Sequence, residues 1–425
     1  MNLKPYILLT AMALVSCNNS LETRLDRILK PVFPTDEPGA AVLVLKGDSI
    51  LYDKGFGLSR LLHNNPQNEP DAQNAAGGRG TRRKIGFLQS LAKNNFPESG
   101  VGADGECGLN INGDTHFNIA SVSKQFTAVA VLQLVQDGKV SLDDPVSKYF
   151  PEFESDIWKE IQIKHLLSHS SGVPDERGYL TREEKIHGDE ALATEYLKKL
   201  DHRNFAPGTA YEYINPTFVL LGQLVERVSG EEFTQYVQKH IFNPAGMERT
   251  YYFDRNNERP DAAHGYEYAD VEDMPEERTA GEQAQGPKNW YEYDFGEETF
   301  FATRPDGGIY TTTHEFVKWE KALRNGTVLN KELLQQAMSP HTKVTGSPWS
   351  DYQNRENTWY GYGWFVEPAL KGAPLRIYHT GDNGGFKIMA ARYPEQDLLI
   401  LVFANRADWD RYGLLMQMEQ IIINN

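Results

Sequence analysis

Short apolar runs of strand length lie towards both ends of this chain, and the long middle carries helical spacing instead. Near the start, Ala40 to Leu45 and Ile50 to Tyr52 flank Gly47-Asp48-Ser49, which predicts a hairpin that Gly55-Phe56-Gly57 continues. Near the end, Tyr360 to Val366 and Arg376 to Thr380 read as strands. Lys387 to Tyr393 and Leu398 to Ala404 read as a hairpin around Pro394-Glu395. Helices are predicted over Leu21 to Leu29, Ile163 to His169, Phe218 to Val228, Phe233 to Ile241, Glu315 to Leu323 and Tyr412 to Ile422. Sheets and helices must each bury an apolar face against another layer. The pattern therefore predicts an α/β (α+β) fold, with an antiparallel sheet built from the N- and C-terminal segments, flanked by helices, and an inserted all-helical lobe. The sheet lobe is expected over about 22–120 and 300–425, and the helical lobe over about 121–299. A cleft between the two is the default ligand site.

Two stretches resist this reading. Residues 61–115 are rich in Asn, Gly, Pro and charge, with one apolar patch, Ile85 to Leu91, and read as an insertion. Residues 254–300 are polar and acidic, dotted with Tyr266, Tyr268, Trp290, Tyr291 and Tyr293, and read as cleft wall or surface loop. No internal repeat is present.

The net charge of −16 argues against a nucleic-acid partner, whose binders need a basic face. The one basic run, Arg79, Arg82, Arg83 and Lys84, is expected to be a solvated loop. At the N-terminus, Lys4 precedes Tyr6-Ile7-Leu8-Leu9-Thr10-Ala11-Met12-Ala13-Leu14-Val15, too short to span a bilayer and suited to an export signal. It ends in Leu14-Val15-Ser16-Cys17, which resembles a bacterial lipobox. That resemblance implies residues 1–17 as a signal peptide, lipidation at Cys17, and an exported, membrane-anchored lipoprotein in the periplasm or at the cell surface. The other cysteine, Cys107, would then be a free thiol without a catalytic role.

The stretch with the most chemistry is Phe117-Asn118-Ile119-Ala120-Ser121-Val122-Ser123-Lys124. Apolar Val129, Leu132 and Val135 follow, and Gly138 stops the pattern. It predicts a buried helix with Ser121 in its first turn and Lys124 on the same face. A serine hydroxyl becomes a useful nucleophile when a nearby base takes its proton, and a lysine can do so when burial or a cation weakens its hold on its own. Backbone N–H groups at a helix start can hold a developing oxyanion. Taken alone, such a pair is more often a surface pair at a helix start. His165 and His169, four apart, lack the glutamate of H-E-x-x-H, so capping and packing are expected of them and no metal or other cofactor is implied.

Three separated runs change the balance. Ser121-Val122-Ser123-Lys124 is followed by Tyr213-Ile214-Asn215 and then by His379-Thr380-Gly381 on a predicted strand. In order and spacing they resemble the serine β-lactamase and penicillin-recognising superfamily: S-x-x-K, Y-x-N, then K-T-G or H-x-G. The runs His165 to Gly172, Pro207-Gly208 and Gly307-Gly308-Ile309-Tyr310 are similar to its class C branch, which includes D-alanyl-D-alanine carboxypeptidases, esterases and D-amino-acid peptidases. The resemblance covers about residues 30–60 and 116–420. It implies Ser121 as nucleophile forming an acyl-enzyme, Lys124 as the group that accepts the serine proton or holds Tyr213 in its anionic form, and Tyr213 as proton relay that later activates water. It also implies that Asn215 binds a substrate amide or steadies Lys124. His379 and Thr380 would contact a substrate carboxylate, Gly381 would allow close approach, and the N–H groups of Ser121 and Asp382 would form the oxyanion hole.

One departure matters. His379 stands where β-lactamases of this branch carry lysine, and a neutral imidazole is a weaker carboxylate anchor than an ammonium. Asp382 adds negative charge beside the oxyanion position. The expected function is a serine acyl hydrolase acting on D-amino-acid peptides, β-lactams or small esters, with efficient β-lactam hydrolysis in doubt. The alternative is a catalytically silent, cleft-bearing binding lipoprotein of the cell envelope. The expected partners are a small-molecule or peptide substrate and a lipid membrane, with the protein a monomer. An α/β-hydrolase is excluded by the lack of Gly-x-Ser-x-Gly.

Overall fold

The computed structural model describes residues 20–61, 100–101, 107–175, 181, 184, 188–254, 259, 261–268, 290–292, 303–345, 357–370 and 372–423. The export signal, Cys17, the run Arg79 to Lys84, the patch Ile85 to Leu91 and Tyr293 lie outside the described residues, as do the side chains of Cys107 and Tyr291.

The core element is an eight-stranded antiparallel sheet. Its strands are β1 (Ala40–Lys46), β2 (Ser49–Phe56), β3 (Thr342–Lys343), β4 (Trp359–Tyr360), β5 (Phe365–Glu367), β6 (Arg376–Asn383), β7 (Phe386–Tyr393) and β8 (Leu398–Ala404). The spatial order is β3-β4-β5-β6-β7-β8-β1-β2. The N-terminal hairpin joins the C-terminal strands through β1 and β8, in register from Ala40 opposite Ala404 to Lys46 opposite Leu398. Tyr360 to Val366 does not form one strand. It splits into β4 and β5, with Tyr360 opposite Phe365, because Gly363 turns the chain at φ +87°.

Strand β1 shows how the sheet is held. Ala41, Leu43 and Leu45 enter one core and Ala40, Val42 and Val44 the other, the two-residue period of a strand buried on both faces. One face is covered by helices α1 (Leu21–Leu29) and α5 (Arg411–Ile423), which contribute Leu25, Leu29, Leu415 and Met418. The other face meets the helical part, led by α2 (Lys124–Gln136), α3 (Asn215–Ser229) and α4 (Thr313–Asn325). Helix α2 is buried from Lys124 through Leu132, so its apolar residues surround it rather than forming one stripe. Within 61–115, the described strands are Gly100–Val101 and Cys107–Asn110, the latter pairing with the former and with Leu58–Arg60. Among the described residues no helix is long and apolar enough to cross a membrane.

Candidate active site

Ser121 lies not in the α-helix itself but in a 3₁₀ turn, Ala120–Ser123, that runs directly into α2. In a 3₁₀ turn residues three apart eclipse one another. Ser121 Oγ and Lys124 Nζ are accordingly 3.1 Å apart. The chain enters the turn through Ala120, at φ +46°, a left-handed conformation that a residue with a Cβ rarely adopts. It is held there by the Ala120 N–H donating to Asn118 Oδ1 at 2.7 Å. Ser123, on another side of the turn, accepts the N–H of Ile309 at 3.2 Å.

Lys124 is fully buried. Its Nζ also donates to the Asp306 carbonyl at 2.7 Å, and Thr127 Oγ1 one turn on donates to the Pro305 carbonyl at 2.5 Å. The short helix Arg304–Gly307 is thereby docked over α2, and Lys124 is aimed at Ser121. The amine lies 5.1 Å from the ring centre of Tyr213 and 5.6 Å from that of Phe218.

Tyr213 is half-buried just before α3, and Asn215 opens that helix, followed by Pro216. Asn215 Oδ1 is buried without a hydrogen-bond partner among the described residues. Segment 211–214 lies under His169, whose backbone is also left-handed at φ +52°. His165, by contrast, closes a capping box with Gln162, whose N–H donates to His165 Nδ1 at 3.1 Å.

The third motif is enclosed, where a contact with a substrate carboxylate is expected. The His379 ring is 1 % exposed and both of its nitrogens are engaged. Nδ1 donates to the Thr380 carbonyl at 2.6 Å, so Nε2 accepts the Tyr360 hydroxyl at 2.9 Å. Burial, with Lys124 adding to it, pushes the His379 imidazole down to about 3, so it is neutral at ordinary pH. Thr380 is buried too. Gly381 packs directly on the serine turn: a Cβ there would fall 2.3 Å from the Ile119 carbonyl oxygen and 3.0 Å from Ala120 Cβ. Only glycine lets β6 come this close.

Asp382 needs a correction. Its carboxylate does not act as a bare negative charge, because Arg411 of α5 binds both of its oxygens at 2.8 and 3.1 Å. The same guanidinium donates to the carbonyls of Gly381 and Ile388 at 3.1 Å each. It thereby pins the end of β6 from behind.

Ser121, Lys124 and Tyr213 are thus brought together, with Gly381 against the serine turn and His379 6.3 Å from the Tyr213 ring, centre to centre. Sequence reasoning missed Asn118, Tyr360, Arg411 and the 305–306 carbonyls. Tyr360, Arg411 and the 305–306 carbonyls carry no local signal, since each acts through a contact made across the fold; Asn118 acts locally, but only once Ala120 takes its left-handed conformation. His169 lay inside a noted run, but its role depends on a loop conformation that spacing does not reveal.

Penicillin-binding protein 4* of Bacillus subtilis (strain 168) is 25% identical over 311 residues, which is 72% of this chain and 64% of that protein. Protein flp of Staphylococcus aureus (strain MW2) is 27% identical over 299 residues, 68% of this chain and 53% of that protein. The chain thus spans between about half and two thirds of the length of these curated relatives. The crystal structure of D-amino acid amidase from Ochrobactrum anthropi SV3 complexed with L-phenylalanine superimposes with a TM-score of 0.68 at 20% identity, covering 96% of this chain and 99% of that one. That likeness shows the fold. The Beta-lactamase family profile matches residues 25–421, and with that match over nearly its whole length the chain belongs to the Beta-lactamase family.

Proposed function

We propose that this protein is a serine acyl hydrolase that forms an acyl-enzyme on Ser121. The observation that carries the reading is the 3.1 Å contact between Ser121 Oγ and the buried Lys124 Nζ. Lys124 takes the hydroxyl proton as Oγ bonds to the substrate carbonyl carbon, and the carbonyl electron pair moves onto oxygen. The N–H groups of Ser121 and Asp382 are assigned to that oxyanion. On collapse the bond to the leaving group breaks, and the proton passes from Lys124 through Tyr213 to the departing nitrogen or oxygen. Water then attacks the acyl carbon as Tyr213 takes its proton and passes its own to Lys124, which protonates Ser121 Oγ as the ester bond breaks and the carboxylic acid leaves.

The neutral, enclosed His379 favours peptides and amides of D-amino acids or small esters over substrates that need a cationic anchor. β-Lactams would acylate slowly. Incubation with a fluorophosphonate probe and a labelled penicillin, followed by mass spectrometry, tests the reading. An adduct on Ser121 that Ser121→Ala abolishes is expected. No adduct with any acylating probe would favour a silent binding protein. Export and lipid anchoring through Cys17 belong to the same proposal. Mass spectrometry of membrane-extracted protein should find a diacylglyceryl mass on Cys17, and Cys17→Ser should release the protein from membranes.

A further inference from the structure

We infer that His169 is a positioning residue for Tyr213, gripping the chain on both sides of the phenol and so holding it beside Lys124. The inference rests on the reading of Ser121 as an acylated nucleophile.

The grip has three points. The His169 carbonyl accepts the N–H of Glu212 at 3.0 Å, and its Nδ1 accepts the N–H of Ile214 at 3.2 Å. Glu212 and Ile214 are the two chain neighbours of Tyr213. Between these anchors the imidazole lies against the phenol, with ring centres 4.2 Å apart and planes at 38°. The left-handed backbone at 169 turns the carbonyl and the side chain of one residue onto the same segment.

The chemistry at 169 goes beyond filling space. Nδ1 accepts, so the ring's proton is on Nε2. That N–H is buried with no hydrogen-bond acceptor among the described residues, surrounded by the rings of Tyr213, Tyr360 and Phe218. A buried donor without an acceptor is costly, and a site that needed only packing would be served better by phenylalanine. Burial, with Lys124 and His379 adding to it, holds the imidazole well below the usual histidine range. Nδ1 therefore stays an acceptor for Ile214, and the Tyr213 segment keeps its place.

The step this serves is proton delivery to the leaving group as its bond to the acyl carbon breaks and it takes the bonding pair. An amide nitrogen needs that proton to depart; a nitrophenolate does not. The test is the first-turnover acylation of Ser121 by the nitrophenyl ester and the nitroanilide of one N-acetyl-D-phenylalanine, on the full chain. His169→Phe keeps a ring and removes the acceptor. His169→Asn keeps an acceptor near the Nδ1 position and tolerates the left-handed backbone. In His169→Phe, anilide acylation should fall about 100-fold, the scale of a misplaced catalytic group. Ester acylation should change by no more than about threefold, since it needs no relayed proton. His169→Asn should recover most of the anilide rate, and it carries the test alone if His169→Phe does not fold. Equal losses on both substrates, or a folded His169→Asn as poor on the anilide as His169→Phe, would overturn the inference while leaving the acyl-enzyme reading intact. A wild type that uses the ester but never the anilide would overturn it too. A wild type unlabelled by any probe removes the acyl-enzyme reading, and the inference with it.

Discussion

The Tyr360 hydroxyl donates to Nε2 of His379 at 2.9 Å and thereby fixes an uncharged tautomer in the third motif. Tyr360→Phe would leave a buried ring nitrogen without its donor, at a cost of about 1–3 kcal/mol. Denaturant unfolding should register that loss, and the ¹⁵N shifts of His379 should report a changed tautomer balance. Unaltered stability and shifts would contradict the assigned link.

Two of the buried histidines, His169 and His379, make stability depend on pH. Unfolded, each takes a proton near 6.5; folded, His379 takes one only near about 3, and His169 only well below its usual range. Between those values the unfolded chain holds more protons, so stability rises with pH. The contribution is fully present above about 6.5 and is lost as pH falls through the folded values, which for His379 lie near about 3. His379→Gln should flatten this slope in unfolding titrations between about pH 7 and about pH 5. A slope identical to that of the wild type would count against it.

His314 works in the opposite direction. Asp53, with Asp114 beyond it, raises its imidazole to about 9. That stabilisation is complete below about 6.5 and disappears as pH rises through about 9. His314→Gln should lower the melting temperature at about pH 6 and converge with the wild type at about pH 10.

Lys124→Met and Tyr213→Phe each remove a proton carrier while keeping most of the volume. Each should slow acylation by about 100-fold or more. Circular dichroism should report a folded protein. Near-normal rates in either variant would refute the proton path.

Gly381→Ala places a methyl group against the Ile119 carbonyl and Ala120. It should destabilise by about 1–3 kcal/mol, typical of overpacking. Labelling of Ser121 should drop with it, since β6 must move off the serine turn. Arg411→Met should leave the Asp382 charge unmatched and slow acylation by an anionic penicillin more than by a neutral ester. The difference should shrink as salt is added. Equal slowing at every ionic strength would show that Arg411 acts only by bracing β6.

The sequence by itself determined much of this protein. Continuous apolar runs of strand length at the two ends, Ala40 to Leu45 and Leu398 to Ala404, specified strands buried on both faces, because a strand turns successive side chains to opposite sides. The spacing of Ser121 and Lys124 determined that they would meet in either kind of helical turn, a strictly local consequence of three-residue separation. Only the tertiary structure decided the environment around them. The Gly363 turn that breaks one expected strand into two puts Tyr360 within reach of His379. The packing of α5 brings Arg411 to Asp382, and a left-handed loop puts His169 over Tyr213. Each of these contacts joins residues distant in the chain, and the two at the histidines fix a tautomer by burial. Burial is a property of the assembled fold, so no local pattern could have announced it.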